Sequence, residues 1–213
     1  MHEIYLLNDM QIEGIKNIPL LGIRFLPQEI DIKKYDALIF TSKNAVYSLD
    51  SFNKEWKNIP SFVIAPKTAK VVELLEGNIA FVGNSGHGNE FAHELIPLLK
   101  NKKVLYVKAK KVVSNLAGLL KKANIDVDEI IAYETACNTL ENPEIPAKNS
   151  VIIFSSPSTI ECFLDNFIWD ETYKAVVIGQ TTANYLPKNI RYVVSKTTSI
   201  EDCIALAKEQ VRI

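Results

Sequence analysis

Cysteine is scarce. The three residues, Cys137, Cys162 and Cys203, lie far apart with no Cys-x-x-Cys spacing. That pattern gives neither a zinc knuckle nor a disulfide framework, so reduced thiols in a cytoplasmic protein are expected. Neither sign of charge is in excess: the net charge is -1. There is no global basic field for nucleic acid and no acidic tail. No apolar stretch approaches the length of a membrane span, and Met1-His2-Glu3-Ile4-Tyr5 is not a basic run leading into an apolar core. Neither a membrane segment nor a signal peptide is expected. His87 and His93, six apart, share no helix face well, which speaks against a metal site. A Gly-x-x-x-x-Gly-Lys phosphate loop is missing, and the Gly83–Gly88 loop lacks the dinucleotide spacing. Ser155 and Ser156 lack the Gly-x-Ser-x-Gly elbow of many hydrolases.

What remains is an alternation of strand and helix patterns. The apolar runs Glu3–Leu7, Pro19–Phe25, Lys34–Phe40, Ser61–Ile64, Asn78–Val82 and Lys103–Val107 read as strands. So do Ile125–Thr135, Ser150–Phe154, Lys174–Ile178 and Asn189–Val194. Amphipathic helices are expected between most of them, including 89–99, 113–123, 159–167 and 199–211, with a weak helix or turn up to Asn17. Ser42 reads as an N-cap and Pro66 as a first helical residue. Val71, Val72, Leu74 and Leu75 form a helix face that Gly77 ends. This order implies parallel sheets.

The chain also repeats itself. Asp36-Ala-Leu-Ile-Phe-Thr-Ser aligns with Ser150-Val-Ile-Ile-Phe-Ser-Ser, and Phe40 to Phe154 is a step of 114 positions. Ile64-Ala-Pro-Lys-Thr-Ala aligns with Ile178-Gly-Gln-Thr-Thr-Ala at the same step of 114. Asn78–Val82 against Asn189–Val193 is looser, at 111. Two similar flavodoxin-like α/β domains are therefore expected rather than one large sheet. The second copy lacks two strands that the chain start can supply. One domain is then discontinuous (1–24 and 137–213), the other inserted (31–129), with a two-stranded linker at 25–30 and 130–136.

Ligands of open parallel sheets bind beyond the carboxyl ends of the strands. Those ends here carry Thr41, Ser42, Thr68, Ser155, Ser156, Ser158, Thr181 and Thr182, each next to a helix start. Free N–H groups and the helix dipole favour anions there, by about 0.3–1 kcal/mol per exposed site. Most such hydroxyls are simply N-caps. Matching positions in both copies make the set candidates for holding a polyanion. The lysine-rich stretch from Lys100 to Lys122 reads either as solvated helix ends or as a rim that draws an anion in.

Four segments together give a resemblance over nearly the whole chain: Phe40–Val46, Tyr133-Glu134-Thr135, Phe154–Ser158 and Ile178–Ala183. In this order they resemble the uroporphyrinogen-III synthase family. The resemblance implies two α/β domains on a two-stranded linker, an active site in the cleft between them, and no cofactor or metal. It implies a linear tetrapyrrole substrate, hydroxymethylbilane, bearing an acetate and a propionate on each ring. The terminal hydroxyl leaves as water, the last pyrrole inverts through a spiro intermediate, and the macrocycle closes. Tyr133 matches the family's cleft tyrosine, proposed to assist that departure; a phenol is protonated at neutral pH and can donate. Thr41, Ser42, Thr68, Ser155, Ser156, Ser158, Thr181 and Thr182 fall on the loops that meet substrate carboxylates. Where many members carry arginines, this chain has Asn8-Asp9 and Lys108, Lys110 and Lys111. A lysine binds a carboxylate as a point charge, without arginine's fork. A cytoplasmic monomer is expected, with no nucleic-acid or membrane partner and at most transient contact with the preceding pathway enzyme. The rival class is a non-enzymatic anion sensor, which would use the same loops without Tyr133 and should carry an output domain. A flavin protein would be yellow.

Overall fold

The computed structural model describes residues 2–211. Its elements are, in order, β1 (Ile4–Leu6), β2 (Lys16–Asn17), β3 (Leu21–Phe25), β4 (Ala37–Phe40), α1 (Lys43–Phe52), β5 (Ser61–Val63), α2 (Pro66–Leu74), β6 (Ile79–Val82), α3 (Gly88–Leu95) and β7 (Lys103–Ala109). There follow α4 (Leu116–Lys122), β8 (Asp126–Cys137), β9 (Val151–Phe154), α5 (Pro157–Asn166), β10 (Lys174–Val177), α6 (Gln180–Ala183), β11 (Tyr192–Val194) and α7 (Ile200–Val211).

The chain divides into two compact units. Unit 1 is Met1–Gly22 with Ala136–Ile213, and unit 2 is Ile23–Thr135. The sheet of unit 1 has the order β11-β10-β9-β1-β2; the other runs β3-β8-β7-β4-β5-β6. Starting from β9 in one unit and β4 in the other, the two orders coincide as third-second-first-fourth-fifth. The chain start thus supplies β1 and β2 where the second copy runs out. Read in chain order, unit 1 has the flavodoxin arrangement 2-1-3-4-5.

Both central strands are buried along their whole length, which explains their unbroken apolar runs. In unit 2, Leu38 and Phe40 pack with Val46, Leu49, Trp56 and Val72, while Ala37 and Ile39 meet Phe91, Leu95, Leu116 and Leu120 across the sheet. Alternation of side chains along the strand sends them to opposite layers. In unit 1, Ile152 and Phe154 face Ile160 and Phe163, and Val151 and Ile153 face Cys203, Ile204 and Ala207.

Several expectations need correction. The stretch before Asn17 was expected as a weak helix or turn, but it ends in β2, which pairs in parallel with β1 (Tyr5 to Lys16, Leu6 to Asn17). Two polar residues carry no strand pattern, so only the neighbouring strand reveals them. Leu74 was assigned to the buried face of α2 and is 72% exposed. Gly77 does not supply the left-handed stop; Glu76 does, at φ 61°. Gly77 is required for a different reason, because a Cβ there would lie 2.5 Å from the Trp56 ring. The helix expected to start at Val113 starts at Leu116 and leaves Val113 fully exposed.

The cysteine expectation also fails. Cys137 and Cys162 form a disulfide across 25 residues of sequence, with Cα atoms 5.2 Å apart, and Cys203 alone is free and buried. Spacing along the chain holds no sign of this. The end of β8 and the middle of α5 become neighbours only once unit 1 has folded.

Candidate functional site

The carboxyl ends of β4 and β7 lie side by side, since Phe40 pairs with Val107. The chain leaves β4 at Thr41 and turns into α1, capped by Ser42, whose Oγ accepts from the Asn44 N–H at 3.2 Å. On the other side, β8 runs parallel to β7 up to the pair Ala109–Tyr133, with a shift of register at Lys108/Ala109. That bulge re-aims the end of the strand. The Lys110 N–H then donates to the Tyr133 carbonyl at 2.9 Å, so the backbone beside Tyr133 is held on both strands.

These strand ends floor a pocket of about 550 Å³ within unit 2. Its floor includes Thr41, Tyr106 and Tyr133. Its wall is the Gly86–Glu90 loop into α3 and the Lys111–Ser114 loop into α4. The two loops are tied: the Asn115 N–H donates to Asn89 Oδ1 at 2.8 Å. Gly88 sits so close to Ser114 that a Cβ would come within 2.3 Å of its Oγ, and Gly86 has φ 71°. Glycine is needed at both positions, once for approach and once for conformation.

The lysine-rich rim resolves into spent and unspent charges. Lys108 and Lys121 both bind Glu129, at 2.6 and 2.9 Å. Lys110 binds Glu134 at 2.9 Å, and Arg24 grips the same carboxylate from β3. Lys110 first and Arg24 second hold the Glu134 carboxyl below the usual carboxylate range. Lys111 lines the pocket, and no carboxylate among the described residues pairs with it. It is the cation best placed to meet an anion there.

Of the nine residues singled out from sequence, only Thr41 and Tyr133 line this pocket. Tyr133 is 8% exposed, and Thr41 Oγ1 lies 3.0 Å from the Tyr106 hydroxyl. Thr68 is buried in the first turn of α2. Ser42 is spent as the cap of α1, and the other five stand in unit 1 at the carboxyl ends of β9 and β10, brought together because Phe154 pairs with Val177. Ser156 is committed to a capping box with Thr159: its Oγ accepts from the Thr159 N–H at 3.3 Å, and Thr159 Oγ1 accepts from the Ser156 N–H at 3.2 Å. Ser155 and Ser158 flank it half-buried, Thr181 is exposed and Thr182 is buried. Tyr106, Glu134, Arg24 and the Gly86–Glu90 loop were not assigned from sequence. Tyr106 sits inside an apolar strand run and reads as core. The Gly86-His87-Gly88 spacing was the one available sign of the wall.

A search of curated proteins finds no match. A family model described as Uroporphyrinogen-III synthase HemD matches residues 15–205. Among solved structures, the chain is similar to the uroporphyrinogen-III synthetase of Helicobacter pylori 26695. The identity is 34% and the TM-score 0.66, over 98% of this chain and 99% of that one. A uroporphyrinogen III synthase of Thermus thermophilus aligns at 14% identity and a TM-score of 0.42, over 93% of this chain and 89% of that one. That likeness is too distant to carry an argument.

Proposed function

The chain belongs to the uroporphyrinogen-III synthase family, cyclising lyases of tetrapyrrole biosynthesis, and from that premise we propose how its residues divide the work. The substrate is hydroxymethylbilane. Its terminal C–O bond breaks, the hydroxyl leaves as water, the last pyrrole inverts, and ring closure gives uroporphyrinogen III. Tyr133 donates the hydrogen bond that assists departure of the hydroxyl. Thr41, Ser42 and Thr68 in unit 2, and Ser155, Ser156, Ser158, Thr181 and Thr182 in unit 1, meet the substrate carboxylates. Where the hydroxyl already caps a helix, as at Ser42 and Ser156, the contact comes from backbone N–H groups. Lys111 adds a positive charge at the pocket.

The observation that supports this most is the placement of Tyr133. It lines a pocket that also holds Thr41 and Lys111, where the pairing of β8 with β7 ends. The reaction asks little of acid–base machinery. The bilane closes unaided to isomer I, so the enzyme must favour inversion. A hundred-to-one preference corresponds to about 2.7 kcal/mol. Positioning of reacting ends alone supplies roughly 7–11 kcal/mol in favourable cases.

A monomer and a cytoplasmic location are part of the same proposal. No helix among the described residues is long and apolar enough to cross a membrane. The Cys137–Cys162 pair sets a condition on the location, because a reducing compartment keeps such a pair as thiols. The deciding experiment generates hydroxymethylbilane in situ, adds the protein, oxidises the products and separates the isomers. Isomer III in excess is the expected result. Isomer I alone, with folded protein, would remove the assignment and leave the anion-sensor reading.

A further inference from the structure

Tyr106 is a polar residue in an apolar place. It lies mid-strand in β7 between Leu105 and Val107 and is 2% exposed. Its ring packs with Phe62, Phe91 and Leu116, where phenylalanine would serve as well. A buried hydroxyl needs a partner, or it costs the desolvation of the group. The partner is Thr41 Oγ1 at 3.0 Å. Both residues line the pocket that Tyr133 also lines. Burial raises the affinity of the Tyr106 phenol for its proton. The phenol therefore stays protonated at neutral pH.

A threonine hydroxyl has one hydrogen and two lone pairs and can rotate. Left alone, it would share its hydrogen among several directions. Either oxygen could donate across this contact; a phenol is a better donor than an alcohol, which favours the arrangement in which the hydrogen comes from Tyr106. Thr41 then accepts, and its own hydrogen must point elsewhere. The open direction is the pocket, because Thr41 is only half-buried while Tyr106 is covered.

We propose that Tyr106 is a positioning residue: its phenol donates to Thr41 Oγ1 and so fixes the Thr41 hydroxyl as a hydrogen donor to a substrate carboxylate in the pocket. The inference rests on the reading of this pocket as a tetrapyrrole site. It names a residue that acts through another and need not touch substrate.

The test uses Tyr106→Phe, Thr41→Val, the double variant and Thr41→Ser. Two readouts are taken: steady-state kinetics on hydroxymethylbilane, and equilibrium binding of uroporphyrin III by fluorescence anisotropy. Each of the first two variants is expected to raise KM and the porphyrin Kd roughly five- to tenfold, the worth of one hydrogen bond, with kcat within about twofold. The double variant should be no worse than Thr41→Val, since both remove the same contact. Thr41→Ser keeps both hydroxyls and should bind as wild type does. Tyr106→Phe with wild-type KM and Kd, even if its melting point drops, overturns the proposal, and so do single effects that multiply in the double. If wild type makes no isomer III but the binding pattern holds, the reaction assignment falls and the positioning role stands. A folded wild type that makes isomer III but binds no porphyrin leaves KM to decide the positioning role, and one that does neither overturns both.

Discussion

The two units share a strand order and differ in what their strand ends do with it. In unit 2, β4 ends on Thr41, whose hydroxyl meets Tyr106 at the floor of a pocket. At the corresponding place in unit 1 stands Ser155, half-buried, while Ser156, like Ser42, caps the helix that follows. The lysines differ in the same way. Lys111 lines the unit 2 pocket without a carboxylate partner among the described residues, whereas Lys16, beside a pocket of about 580 Å³ in unit 1, is bound by Glu3 at 2.8 Å and Glu144 at 3.5 Å. A repeated topology therefore carries over the scaffold and leaves the chemistry free to diverge.

Each unit holds one tryptophan, Trp56 buried in the core of unit 2 and Trp169 half-buried against the core of unit 1. Single-tryptophan variants thus report each unit separately, and the contrast can be broken unit by unit. The largest stability effect should fall on unit 1. Cys137→Ser opens a loop spanning 25 residues of sequence and should lower its stability by about 3 kcal/mol, with the Trp56 signal of unit 2 unmoved. Unreduced, denatured protein should accept thiol label at Cys203 alone. Label at all three cysteines would show that the bond is not formed.

The largest catalytic effect should fall on unit 2. Tyr133→Phe should slow turnover roughly 100-fold, the low end for loss of a general acid, while isomer III remains the main product. Full turnover at an unchanged isomer ratio would end the catalytic role of Tyr133.

A smaller effect tests the capping assignment. Ser156→Ala should destabilise unit 1 by about 1 kcal/mol, and Ser156→Gly by only a few tenths, read from denaturation followed through Trp169. Equal losses would mean that the hydroxyl does something other than cap α5.

The smallest effect concerns acid. Lys110, with Arg24, and Lys108, with Lys121, hold Glu134 and Glu129 below the usual range. A carboxylate with a lowered folded value stabilises fully above its unfolded value, near 4.5, and loses that contribution as pH falls through the lower folded value. Unit 2 should therefore soften below about pH 4.5, and Glu134→Gln should flatten part of that decline. An unchanged pH profile in the variant would show that the Arg24–Glu134–Lys110 cluster is not coupled to folding.

Periodicity and repetition were enough to determine much of this protein. The apolar runs of β4 and β9 had to be strands covered on both faces. The common step of 114 positions required two like units, and the missing strands of the second copy pointed to the chain start. Thr41 was singled out as a residue just beyond a strand end and Tyr133 through the family resemblance, and both line the unit 2 pocket. Contacts between residues far apart in sequence were not legible, because no local pattern encodes them. Tyr106 reads as core until β7 is laid beside β4 and its hydroxyl meets Thr41. Cys137 and Cys162 read as separate thiols until the end of β8 comes to rest near α5. Lys110 and Lys111 are chemically alike in sequence, and folding alone gives one a carboxylate partner and turns the other toward the pocket.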